Sequence, residues 1–125
     1  MAGPTFGPLD AGDVQVSARL DGPVLRLVMS GSVDTRDPGP VFDPYWQAID
    51  ESLRREGVQH VELDISGLEF MNSSGILTLV RWVKRLETPP AYQIVIRYDR
   101  DVTWQQTSLP VLAKLVPGGV RVAAR

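Results

Sequence analysis

A chain of 125 residues, 43% hydrophobic and 22% charged, has the composition of one globular domain long enough to bury a core without staples. With 13 Lys and Arg against 15 Asp and Glu the formal net charge is -2, so no long-range positive field exists to attract nucleic acid or anionic membrane. Cysteine is absent and His60 is the single histidine, which excludes disulfides, thiol nucleophiles, Cys-ligated metals and His-rich zinc sites.

Residues 1–13 have neither a basic start nor an apolar run. With Gly3, Pro4, Gly7, Pro8 and Gly12 they read as a loose tail rather than a signal peptide. No stretch has the apolar length that spans a bilayer, so the expectation is a cytoplasmic domain over residues 14–125.

Val14, Val16, Ala18 and Leu20 alternate with polar residues. Asp21-Gly22-Pro23 then punctuates the chain before Leu25, Leu27 and Met29 resume the alternation, which predicts a β-hairpin. A loop is expected over residues 31–42, broken by Pro38, Gly39 and Pro40. Asp43 suits an N-cap and Pro44 a first helical position, and Trp46, Ile49 and Leu53 follow at helical spacing as far as Gly57. Residues 58–65 alternate again, with Val61, Leu63 and Ile65 on one face and His60, Glu62 and Asp64 on the other.

After a short turn at Ser66-Gly67, Phe70-Met71-Asn72-Ser73-Ser74-Gly75 leads into a second helix. Its predicted core stripe is Ile76, Leu79, Val80, Val83 and Leu86, and Thr88-Pro89-Pro90 stops it. Tyr92, Ile94, Ile96 and Tyr98 mark a further strand. Residues 102–115 form a third helical candidate split by Pro110, and residues 120–123 a short last strand. The order β-β-α-β-α-β-α-β implies an α/β fold with a mixed sheet. Because the strands alternate, helices are expected mainly on one face, with the other partly solvated.

The stretch from Leu63 to Ile76, reading Leu-Asp-Ile-Ser-Gly-Leu-Glu-Phe-Met-Asn-Ser-Ser-Gly-Ile, resembles the signature of STAS domains, the anti-sigma factor antagonists. Gly31-Ser32-Val33-Asp34 is similar to the family's Gly-x-Leu-Asp motif, and the order of elements matches over nearly the whole chain. The resemblance implies a single STAS-like domain that is not an enzyme and needs no cofactor or metal. It implies binding to an anti-sigma factor or serine kinase, phosphorylation by that partner at Ser73, and resetting by a phosphatase. The sequence departs from the pattern twice. Asn72 replaces the aspartate that usually precedes the phosphoserine, and the loop over residues 34–43 is longer and richer in proline.

Apart from any family, Ser73 sits where free N–H groups and the positive end of a helix dipole emerge, a favourable place for an anion. A phosphate there adds about -1.5 to -2 charge without melting its own helix. On a helical wheel Ser73, Leu77 and Lys84 share a sector bordered by Arg81, opposite the core stripe, which makes Leu77 an apolar anchor for a partner.

Each feature also has a plainer reading. Asn, Ser and Ser are what any helix start prefers, and Ser74 reads as a second cap rather than the acceptor. Gly75 fits either a close approach to the backbone or a turn requirement. Asp34 fits either a partner surface or a turn cap with Thr35. Trp82 extends the Leu77 patch or packs on a strand. Arg81, Lys84 and Arg85 form a basic strip whose usual role is a solvated helix face. Two functions remain in view: a phosphorylation-switched antagonist and a non-phosphorylated STAS-like adaptor. Without a Cys, a second His or a Gly-Lys phosphate loop, no nucleophile-base set is in sight.

Overall fold

The computed structural model describes residues 6–87 and 89–124. The chain runs Leu9–Asp10 (β1), Val14–Asp21 (β2), Val24–Val33 (β3), Gly39–Glu56 (α1), His60–Asp64 (β4), Leu68–Met71 (β5) and Ser73–Lys84 (α2). It continues through Gln93–Tyr98 (β6), Thr103–Ser108 (α3), a 3-10 helix at Pro110–Lys114 and Val120–Ala124 (β7). The sheet order is β1-β2-β3-β4-β6-β7, with β5 pairing to the far end of β3. The β1-β2-β3 pairs are antiparallel, and β3-β4, β3-β5, β4-β6 and β6-β7 are parallel.

Alternation along the strands decides the layering. Leu25, Leu27, Met29, Val61, Leu63, Ile94 and Ile96 point to one face and are buried there beneath Phe42, Trp46, Ile49 and Leu53 of α1 and Leu79, Trp82 and Val83 of α2. The opposite face carries Arg26, Val28, Glu62 and Arg97, none of them buried. On it, Arg26 and Arg97 both donate to the Glu62 carboxylate.

Helices α1 and α2 are joined by more than apolar contact. The indoles of Trp46 and Trp82 stack with centroids 4.7 Å apart and planes 1° from parallel. The Trp82 indole N–H donates to the Tyr92 hydroxyl at 2.8 Å, which donates to Asp50 Oδ1 at 2.6 Å. Asp50, only 4% exposed, also receives the Arg54 guanidinium at 3.1 Å, so its charge is compensated inside the fold. Burial, reinforced by the bond to Asp50, pushes the Tyr92 hydroxyl well above its ordinary range.

Several expectations are corrected. Helix α1 starts at Gly39, not Pro44. Pro40 occupies its first turn, as suits a residue with no N–H, and Pro44 lies inside the helix. The carbonyl deprived of a partner by Pro44 is that of exposed Pro40, so the loss falls where water replaces it. Strand β3 runs on to Val33, and β5 was not expected at all: its burial, inside at Leu68 and Met71 and outside at Glu69 and Phe70, has no period of two. Within the expected tail, Phe6 is buried in the core, Gly7 O accepts from the Tyr45 hydroxyl at 2.8 Å, and Leu9 pairs with Val16. Packing into the domain thus already includes Phe6, ahead of the boundary expected at Val14. Residues 1–5 of that tail, and Thr88 of the expected stop, lie outside the described residues. The third helical candidate is split at Pro110, as the sequence suggests.

Candidate functional site

The site grows from the pairing of β3 with β5. Val33 and Met71 are register partners in a parallel ladder, so the next residues, Asp34 and Asn72, leave the sheet at the same end. The chain reaches this end cleanly because Gly31, at φ +92, lies against Asp13: an added Cβ would sit 2.1 Å from the Asp13 carbonyl oxygen. Only glycine permits the Ser32 N–H to donate to that oxygen at 2.9 Å.

Asn72 is the N-cap of α2. Its Oδ1 accepts from the Gly75 N–H at 2.8 Å, and its Nδ2 donates to the Thr35 carbonyl at 2.7 Å. The Ser73 and Ser74 N–H groups, at the first two helical positions, have no intrahelical carbonyl to reach. Gly75 is buried where α2 presses on the sheet: a Cβ would meet Met71 Cγ at 2.8 Å and Val33 Cγ1 at 2.9 Å. Of the two readings of this glycine, close approach is the one observed, and what approaches is the chain's own core.

Ser73 and Lys84 are exposed, Ser74 is half-buried and Leu77 is 51% exposed, so the outward sector of α2 carries a hydroxyl, an apolar side chain and a cation. Asp34 is exposed in the loop that Asn72 fastens. Arg81 borders this sector but is engaged, with its Nη2 2.9 Å from Asp43 Oδ2 on α1. Asp43, expected as a cap, is instead this ion partner.

Trp82 takes no part in the surface: it packs in the core over the sheet, with its indole N–H given to Tyr92 just ahead of β6. It is buried in the stack against α1. Ile76 and Val80 of the expected core stripe are only half-buried, and the buried place is taken by Thr78. The Thr78 hydroxyl donates to Gly75 O at 2.7 Å and accepts from the Trp46 indole N–H at 3.2 Å. Sequence reasoning named Thr35 only as a turn partner of Asp34 and missed its backbone carbonyl as the acceptor from Asn72. It also missed Phe70, exposed and edge-on to Trp104 at 6.5 Å, because an aromatic residue beside apolar Met71 reads as core.

Among the described residues, no group of three or more His, Cys, Asp or Glu is placed to hold a metal ion, and no helix is long and apolar enough to cross a membrane.

A family model described as STAS domain matches residues 39–90, from the start of α1 past the end of α2. Over that stretch the chain is similar to STAS domains, and the fold around it is STAS-like. The STAS match contains α1, β4, β5 and α2, hence the capped helix start with Ser73, while the loop at Asp34 lies just outside it. Solved structures share the STAS-like fold. An anti-sigma factor antagonist from Mycobacterium paratuberculosis is 21% identical, with a TM-score of 0.59 and 90% of each chain covered. A chain of the crystal structure of the diguanylate cyclase SiaD in complex with its activator SiaC, from Pseudomonas aeruginosa, is 17% identical. Its TM-score is 0.65, with 90% of this chain and 92% of that chain covered. No curated protein matches the sequence.

Proposed function

We propose that this STAS-like domain is a non-enzymatic regulatory protein of the anti-sigma factor antagonist type. It docks a cytoplasmic anti-sigma factor or serine kinase through the outward sector of α2, and phosphorylation of Ser73 switches the association off. The observation that carries this reading is the exposure of Ser73 at the first position of α2, on the same outward sector as the 51% exposed Leu77. An apolar anchor gives a partner something to bury. A phosphate beside it is tolerated by the helix, whose N-terminal dipole favours an anion, but is not tolerated by an apolar contact. The charge therefore acts on the interface rather than on the fold. Asp34, Asn72, Ser74, Gly75, Arg81 and Lys84 surround or support this surface. Adenosine triphosphate and magnesium belong to the kinase, and a phosphatase resets the switch.

A second reading, a STAS-like adaptor that is never phosphorylated, is favoured by Asn72. Its amide is neutral and already bonded at both ends, to Gly75 and to Thr35, so it offers a kinase no carboxylate beside the acceptor.

The test is intact-mass spectrometry of the purified chain from its own cells, with capture of partners on Ser73→Ala and Ser73→Asp. The switch predicts a phosphate mapped to Ser73, a partner retained by the Ala variant, and its loss from the Asp variant. Equal capture by both variants rejects the charge switch, and a mass that never shifts supports the adaptor.

A further inference from the structure

We propose that the outer edge of β2 pairs with β2 of a second copy, joining two sheets around a twofold axis at Leu20. This surface is remote from α2 and independent of the reading above.

The backbone sets which groups are available. Ser32 N–H donates to Asp13 O, and Ala11 N–H donates to Val14 O. Odd-numbered residues of this segment therefore address β3, and even-numbered ones address the outer edge. Strand β1 covers that edge only at Gln15 and Val16. Beyond Val16, among the described residues, no strand pairs with the outer side of β2, so the N–H and C=O groups of Ala18 and Leu20 face outward unmatched by any ladder.

The side chains suit one register. With Leu20 opposite its own copy, the two residues exchange both backbone hydrogen bonds, and Ala18 meets the turn residue Gly22. Arg19 then lies opposite the second copy's Asp21, and Asp21 opposite the second copy's Arg19. Both side chains stand well exposed on the open face of the sheet, at 74% and 54%. Within its own chain Asp21 receives Arg26 Nε at 3.0 Å and has Arg19 Nη2 3.9 Å away, a loose contact between exposed groups that the directly opposite pair replaces. Leu20 lies on the helix-covered side of the sheet yet stays 51% exposed, because no helix reaches it at the edge. Opposite its twin, it gains the apolar contact it lacks. A shift that places Arg19 opposite Arg19 sets like charges together, which is unfavourable. The edge is thus self-complementary in hydrogen bonds, charge and apolar surface, as an isologous contact requires.

The test is sedimentation equilibrium of the full chain up to about 1 mM, with thermal melts to check folding of every variant. The weight-average mass is expected to rise from 13.8 kDa towards twice that value with concentration. Arg19→Glu places two carboxylates together at both ends of the contact and is expected to weaken the dimer roughly tenfold. Adding Asp21→Arg to that variant restores the opposite charges and is expected to recover the dimer. A chain monomeric throughout, as expected if Arg19 and Asp21 merely guard the edge, overturns the proposal. So does a dimer indifferent to Arg19→Glu, or one that the double exchange fails to rescue.

Discussion

The side-chain amide of Asn72 donates to the carbonyl oxygen of Thr35 at 2.7 Å, which ties the loop leaving β3 to the first turn of α2. An aspartate at this position caps the helix equally well but has no N–H to give, and its charge would face the Thr35 carbonyl. Asn72→Asp is therefore expected to free the loop over residues 34–38 with little loss of overall stability. Hydrogen exchange should quicken in that loop while the α2 amides keep their protection. Asn72→Ala loses both bonds and is expected to cost about 1–2 kcal/mol in urea unfolding.

Gly75→Ala ought to stabilise a helix by about 1 kcal/mol on propensity alone. Here the methyl group would press on Met71 Cγ and Val33 Cγ1, both closer than 3.0 Å. Overpacking of this kind costs about 1–3 kcal/mol, so the net effect is expected to be destabilising. A raised melting temperature would show that α2 rides less tightly on the sheet than the geometry indicates.

Two tyrosines are expected to lower stability on the alkaline side. Burial pushes the Tyr45 hydroxyl up to about 12, and burial followed by the Asp50 bond raises that of Tyr92, both from an ordinary value of 10.0. The unfolded chain thus releases these protons near pH 10 while the folded chain keeps them. Their contribution is fully present below pH 10 and is lost as the pH climbs towards the folded values. Each group steepens the loss by up to about 1.4 kcal/mol per pH unit. Urea midpoints measured from about pH 9 to 11 should fall less steeply in Tyr45→Phe and in Tyr92→Phe than in the parent.

Leu77→Arg removes an apolar group that supports no core packing. Its stability is expected to stay within about 0.5 kcal/mol of the parent. Capture of the partner is expected to fall by tenfold or more if Leu77 is an anchor. A thermal melt alongside a titration with the captured partner separates the two effects.

Most of the layering was legible because it follows from local alternation. Leu25, Leu27 and Met29 announce a half-buried strand, and the helical spacing of Trp46, Ile49 and Leu53 announces α1. The cap was legible too, since Asn72-Ser73-Ser74 carries its own local hydrogen-bond logic. What escaped depends on tertiary neighbours. Pro44 looked like a beginning because a proline inside a helix costs least near its start, and the actual start sits one turn earlier. Strand β5 exists through its pairing with β3 across a register shift at Gly31 and Ser32, which no period in residues 68–71 announces. Arg81 read as a free cation because its partner Asp43 is 38 residues away. Trp82 was open to reading as part of the Leu77 patch because nothing local reveals that Trp46 lies flat against it.

That face-to-face pair of indoles supplies a built-in gauge. Two of the three tryptophans report from the seam between α1 and α2, where both indoles are buried and stacked on each other. Separating the helices wets both indoles at once, so emission colour follows the seam itself, without a dye, in any titration that loads the outward side of α2.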